Sequence, residues 1–104
     1  MSSGVGSLAA MSDPDGPLAQ MPPSAAYVPS KTALNSLTVQ YAKELAKDGV
    51  LVNMADPGYV ATDLNGFTGY RTPAQGAAIA VRLATLRVDG PTGGFFNDEG
   101  PVPW

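Results

Sequence analysis

A helical stretch that stops at a glycine and passes directly into an uninterrupted apolar run limits this chain to an α/β arrangement. Residues 28–48 carry Leu34, Leu37, Tyr41 and Leu45 at helical spacing, with Lys43, Glu44, Lys47 and Asp48 on the polar side. Pro29 is tolerated only in the first turn, which sets the start of the helix close to Tyr27, and Gly49 is a natural C-terminal stop. The run Val50-Leu51-Val52-Asn53-Met54 has the continuous apolar character of a strand, over 50–54, buried on both faces of a parallel sheet. Pro57-Gly58 then breaks it.

Residues 1–26 hold Gly4, Gly6, Asp13, Pro14, Asp15, Gly16, Pro17, Pro22 and Pro23, and read as loop throughout. Residues 55–72 form a second loop with Gly66 and Gly69, including one short helical turn from Thr62. A second helix is predicted over 73–86, with Pro73 at its start and Ala77, Ala78, Val81 and Leu83 inside. Asp89-Gly90-Pro91 is a turn, and 92–97, with Phe95-Phe96, is the last strand. The order helix, strand, loop, helix, strand implies two parallel strands joined through a crossover helix. No repeat and no linker divides the chain, so a single unit is expected. Two strands and two helices close little core, which predicts marginal folding or association through exposed leucines.

Composition removes several function classes. A net charge of −3 over 104 residues leaves no basic patch for nucleic acid. With no cysteine and no histidine, disulfides, thiolate chemistry and histidine-based triads are excluded, and no metal site is expected. Met1 to Met11 lacks a basic start and an apolar core, so it does not read as a signal peptide. No apolar run approaches the ~20 residues of a membrane span. A soluble, cytoplasmic protein is the expectation.

Tyr27 and Lys31 are the residues with the clearest chemical potential. At i and i+4 they share one helix face, about 6 Å apart along the axis. An ammonium beside a phenol favours the phenolate and makes a tyrosine usable for proton transfer. Taken alone, the pair also reads as a half-buried ring beside a solvated amine.

The residues around the pair narrow that choice. Tyr27-x-x-Ser30-Lys31 is followed by Val52-Asn53-x-x-x-Pro57-Gly58 and Pro57-Gly58-x-x-x-Thr62, in that order. From about Ser2 to Trp104 the chain resembles the C-terminal half of a classical short-chain dehydrogenase/reductase. The resemblance implies the C-terminal part of a doubly wound, Rossmann-like parallel sheet. The dinucleotide-binding half, with its glycine-rich phosphate loop and its selector between NAD and NADP, would be absent. Gly4-x-Gly6 does not supply that loop, because no strand precedes it and a proline-rich stretch follows.

The resemblance implies an NAD(P)-dependent oxidoreductase that interconverts a carbonyl and an alcohol by hydride transfer. Tyr27 would give or take the proton, and Lys31 would assist it and bond the ribose hydroxyls. Met1-Ser2-Ser3-Gly4 looks like the family's Ser-Ser strand end, which nominates Ser3 to steady the substrate oxygen. Ser3 lies 24 residues before Tyr27, a longer interval than is common in the family. Ser12, at 15 residues, fits the interval better but lacks the strand-end context, so both serines stay open. The longer insert resembles carbonyl-reductase-like members and favours NADP over NAD.

By the same resemblance, Pro57, Gly58, Val60 and Thr62 would lie under the nicotinamide, with the backbone near Val60 bonding its carboxamide and the Thr62 hydroxyl bonding the carboxamide or the diphosphate. The same residues also read as a type II turn and a helix cap, and Asn53 reads as mainly structural. The loop Tyr59–Arg71, with Gly66 and Gly69 as hinges, would close over substrate. Its Tyr59, Phe67 and Tyr70 point to an apolar or aromatic carbonyl compound. The Tyr27–Asp48 helix is the expected homodimer face. The alternative is a non-catalytic fragment kept as an association module.

Overall fold

The structure is a computed structural model that describes residues 1–104. Its longest element is helix α2, Tyr27–Leu45, which tightens into a 3₁₀ turn at Ala46–Asp48 and stops at Gly49 with φ +71°. That left-handed conformation costs glycine nothing and ends the helix. Pro29 sits in the first turn, where no intrahelical N–H bond is lost.

The face that α2 turns inward is polar and small. Asn35, Thr38 and Ala42 are its buried residues, whereas Leu37 and Tyr41 are 54% and 53% exposed. The expected apolar face therefore exists as a stripe, but this chain does not cover it. The cause is what packs against the helix, namely the 3₁₀ turn Gly4–Gly6. The carbonyl of Gly6 accepts from Thr32 Oγ1 at 3.0 Å and Asn35 Nδ2 at 3.1 Å. A turn that presents backbone acceptors needs donors opposite it, since a buried carbonyl without a partner is costly. Gly6 permits the approach, because a Cβ there would come within 3.0 Å of Lys31 and Asn35.

Residues 1–26, expected to be loop throughout, contain this turn and a short helix α1, Leu8–Ser12. Ser7 starts α1 by accepting from the Ala10 N–H at 3.0 Å. The remainder, residues 13–26, is turn and irregular chain.

Two strands form a parallel pair. β1, Met54–Ala55, runs beside β2, Phe95–Phe96, in the register Met54 to Phe95 and Ala55 to Phe96. Helix α3, Pro73–Ala84, makes the crossover between them. On the other edge of β1, the Ser2 N–H donates to the Ala55 carbonyl at 2.8 Å, so the chain start lies alongside the sheet.

Both strands are shorter than the 50–54 and 92–97 expected. Upstream of Met54 one backbone bond remains, from the Gly93 N–H to the Val52 carbonyl at 2.8 Å, and side chains supply the other links. The Val52 N–H donates to Thr92 Oγ1, and Asn53 bonds the Pro91 carbonyl and the Gly94 N–H. Asn53 is thus a clip between the two segments, in line with a structural role. Val50 is exposed and Leu51 and Val52 are only half-buried, so burial on both faces begins at Met54.

α3 opens on a capping box. Thr72 Oγ1 accepts from the Gln75 N–H at 3.2 Å, Gln75 Oε1 accepts from the Thr72 N–H at 2.8 Å, and Pro73 takes the first helical position. Ile79 from α3 is fully buried with Met54, Ala55, Ala42 and Phe95 in a small core. Burying one such side chain contributes about 1.5–3 kcal/mol, so this core is modest. After β2 the chain turns back, and the Val102 N–H donates to the Phe95 carbonyl. The Trp104 ring stacks on Phe95 with centroids 5.4 Å apart. Its carbonyl accepts from Ser7 Oγ at 3.2 Å and the Ala9 N–H at 3.0 Å. No helix is long and apolar enough to cross a membrane.

Candidate active site

The C-terminal end of β1 faces a cavity of about 690 Å³, within the usual range for small-molecule sites. Three pieces of chain meet there. The turn after Ser2 contributes Ser3 and Gly4, the start of α2 contributes Tyr27, and the segment after β1 contributes Pro57, Gly58, Val60 and Thr62. The arrangement follows from strand polarity, because an open parallel sheet binds its ligands outside the carboxyl ends of its strands.

Ser3 stands in extended backbone, φ −157° and ψ 149°, and its side chain caps nothing in the turn that follows. Its hydroxyl is free for a ligand. Ser12 is elsewhere. It lies on exposed α1, where its hydroxyl donates to the Leu8 carbonyl at 2.7 Å, and it does not line the cavity. Of the two serines left open above, only Ser3 shares the cavity with Tyr27.

Tyr27 is half-exposed at the head of α2. Lys31, one turn further, is itself half-buried and does not line the cavity wall. It enters neither ion pair of the molecule, Arg71–Asp98 and Arg87–Asp89, so its ammonium keeps its donors.

Gly58 adopts φ +71°, as the third position of a type II turn requires, and a Cβ there would come 2.8 Å from Arg71 Cδ. Its N–H donates to Asp56 Oδ1 at 3.0 Å. Two residues on, the Val60 carbonyl accepts from Asn65 Nδ2, while the Val60 N–H has no partner in the protein. The Thr62 N–H donates to Asn65 Oδ1 at 3.2 Å. One asparagine side chain therefore holds both Val60 and Thr62 in place at the cavity.

The loop over the cavity is closed at its neck. The Ala61 N–H donates to the Arg71 carbonyl at 2.8 Å, and the Arg71 N–H to the Tyr59 carbonyl at 3.2 Å. Arg71 is further tied to Asp98 and to the Gln75 carbonyl. Gly69, expected as a hinge, lies packed so that an added Cβ would overlap the Ala61 backbone. It is a close-approach glycine. Gly66 ends the short 3₁₀ turn Asp63–Asn65 with φ +60°.

Outside the motifs and the loop named from the sequence, the cavity takes in Leu18, Met21 and Asp56, which sequence reasoning missed. Leu18 and Met21 are the large apolar residues of the stretch between Ser12 and Tyr27, the one signal that this stretch touches anything. Asp56 was readable only as the residue before a Pro-Gly turn.

The family model described as short chain dehydrogenase matches residues 1–71. Over 88 residues the chain is 35% identical to carbonyl reductase (NADPH) 1 of Rattus norvegicus, covering 79% of this chain and 32% of the rat protein. Salutaridine reductase of Papaver bracteatum is 41% identical over 73 residues, 70% of this chain and 23% of that one. The carbonyl reductase Sniffer of D. melanogaster superposes on all of this chain with a TM-score of 0.74 at 30% identity, using 39% of its own length. The NADPH-bound carbonyl reductase from chicken fatty liver superposes on 99% of it, with a TM-score of 0.76 at 28% identity and 40% of its length. The chain thus spans about a third of the curated relatives it matches, and its helices and parallel strands are the C-terminal part of their doubly wound, Rossmann-like sheet. A match over most of the sequence and a superposition over nearly all of the fold place this chain in the short-chain dehydrogenase family.

Proposed function

We propose that this chain carries the proton-transfer and nicotinamide-facing part of an NAD(P)-dependent oxidoreductase that interconverts a carbonyl and an alcohol. NADP is the preferred cofactor, in keeping with the NADPH in the names of the carbonyl reductases above. The observation that carries the reading is the meeting of Ser3, Tyr27 and the Pro57–Thr62 segment in one cavity.

The donor set fits the nicotinamide end of such a cofactor. Val60 offers an unpaired N–H, Thr62 a hydroxyl on the same wall, and Lys31 an ammonium free of ion pairs for ribose hydroxyls. Bound there, the cofactor supplies or receives the hydride. Tyr27 gives the proton to the carbonyl oxygen in reduction, and Lys31 one turn away offsets the charge this leaves on the phenol. The Ser3 hydroxyl donates to the same oxygen as charge develops on it.

A direct test joins this chain to a dinucleotide-binding half. In a chimera that replaces the matching segment of the rat carbonyl reductase, NADPH oxidation with an aryl ketone should be restored and should disappear with Tyr27→Phe. A chimera that binds NADPH and reduces the ketone equally well with phenylalanine at 27 would overturn the reading.

A second reading rests on α2. Leu37 and Tyr41, one turn apart and both exposed, form the face through which the chain would pair with a second copy, as a homodimer or as a non-catalytic association module. Sedimentation of the chain with and without Leu37→Asp tests it. Loss of dimer in the variant supports pairing, and a monomer in both removes it.

A further inference from the structure

We propose that the substrate of this site carries a positively charged nitrogen, an ammonium or alkylated ammonium, held by Asp56 and the rings of Tyr59 and Tyr70. The proposal deepens the oxidoreductase reading above and rests on it for the carbonyl part of the substrate. It starts from the charge inventory of the cavity. Asp56 is the only charged residue on its wall, and no lysine or arginine lines it. Of its two carboxylate oxygens, Oδ1 accepts from the Gly58 N–H, while Oδ2 has no hydrogen bond and no ion pair. Oδ2 lies against Gly4, where even a Cβ would stand 3.0 Å away, so it shares its corner with the turn that bears Ser3.

The hydroxyls and amide on that wall, of Ser2, Ser3, Tyr27, Thr62 and Asn65, make no hydrogen bond to Oδ2, and none of them carries a charge. Leu18, Met21 and Leu64 are apolar, and Tyr59 and Tyr70 present rings. A ligand that fills the cavity strips water from Asp56, which is unfavourable unless the ligand brings a cation or strong donors to Oδ2. An uncharged ketone leaves that carboxylate desolvated and unpaired. An anionic keto acid adds repulsion to the same cost.

The aromatic pair supplies the second half of the recognition. The Tyr59 and Tyr70 ring centres are 6.2 Å apart with the planes tilted by 56°, and both residues line the cavity at its exposed side, Tyr70 the more exposed of the two. Tyr59 is fixed there by a 2.5 Å hydrogen bond between its hydroxyl and Thr68 Oγ1. Ring faces attract a cation, and alkylated ammonium most of all because it is weakly hydrated. A carboxylate and two tyrosine rings on one cavity are a set that an apolar carbonyl compound would not require. An amine-bearing one would use all three.

The test uses the full 104-residue chain without cofactor, so that it does not depend on hydride transfer. Three aryl ketones of similar size are titrated while following the backbone amide signals of Gly58 and Tyr59 by NMR. They are phenacyltrimethylammonium (a permanent cation), its uncharged tert-butyl isostere 3,3-dimethyl-1-phenylbutan-1-one, and the anion 3-benzoylpropionate. The cation should bind about fivefold more tightly than the isostere, the anion more weakly than either. Asp56→Asn keeps the acceptor for Gly58 and removes the charge, and it should bring cation and isostere within about twofold of each other. Tyr27→Phe should leave the charge preference intact, which separates this proposal from the proton-transfer reading. Equal affinity of the three ketones, preference for the anion, or a cation preference that survives Asp56→Asn would each overturn it.

Discussion

Lys31 Nζ lies 5.5 Å from the centre of the Tyr27 ring, on the face that the shared helix turn imposes. The ammonium stands over the ring rather than in an ion pair. A cation so placed is attracted by the ring face, and the ammonium is left outside both ion pairs of the molecule. In the chimera described above, Tyr27→Phe should lower kcat by at least about a hundredfold with little change in NADPH affinity, since only the proton is lost. Lys31→Met should lower kcat and weaken NADPH binding together. Steady-state rates and a fluorescence titration of NADPH separate the two, and a Tyr27→Phe chimera with near-normal turnover would defeat the mechanism.

The two serines give a paired control. Ser3→Ala removes a hydroxyl from the cavity and should reduce kcat in the chimera by about 10²-fold. Ser12→Ala, on exposed α1 outside the cavity, should leave the rate unchanged. A larger loss at Ser12 than at Ser3 would reverse the assignment.

Gly76 in α3 is buried against Val60 so tightly that an added Cβ would overlap Val60 Cγ2. A β-branched valine has little freedom to move aside. Gly76→Ala should therefore cost about 1–3 kcal/mol despite alanine's better helix propensity. The urea midpoint measures the loss, and the Val60 amide shift shows whether the cavity wall moves with it. A stabilised variant would mean that α3 can retreat freely.

Ile79 anchors α3 to the sheet. Its replacement by alanine leaves a void in a core with few other large side chains and should cost about 2–5 kcal/mol, enough to unfold much of the chain at room temperature. Circular dichroism during urea titration gives the answer directly, and an unchanged midpoint would show that the core tolerates the gap.

For the 104-residue chain by itself, little dehydrogenase activity and only weak cofactor binding are expected. No glycine-rich loop leads from a strand into a helix in this structure, and that is the element that binds a pyrophosphate. Nicotinamide fluorescence during NADPH and NADH titrations tests this. Saturable low-micromolar binding by the monomeric chain would show that the Tyr27 side carries more of the site than the donor set implies.

What the sequence made legible follows from how local each signal is. Both ends of α2 and the start of α3 lie where Pro29, Gly49 and Pro73 place them, because caps and stops act within a turn, whereas α3 ends at Ala84, short of the 86 expected, with no glycine or proline there to mark it. The parallel pairing of β1 and β2 was legible from element order alone. The length of β1 was not, because the partners of Val52 and Asn53 are Thr92, Pro91 and Gly94, about 40 residues away. The polar inner face of α2 was hidden for a similar reason. Asn35 and Thr32 point inward because of Gly6, whose fit against them no helical periodicity records. At the site, the family resemblance drew out Tyr27 and the Pro57–Thr62 segment by their motifs, and Ser3 by its Ser-Ser context in spite of its long interval from Tyr27. Asp56 and Met21 entered only when three separate stretches were brought together.

Through Ser7 and Ala9, the carbonyl of Trp104 ties the tail to the start of α1, while its ring rests on Phe95 in β2. Detachment of the tail therefore strips the start of α1 of two hydrogen bonds, which ties the opening of one to the fraying of the other. Four residues before Ser7 stands Ser3. The segment that bears that hydroxyl is held on one side by Ala55 and on the other by α2 through Gly6, and Trp104 adds a third hold just beyond it, about a hundred residues away in sequence.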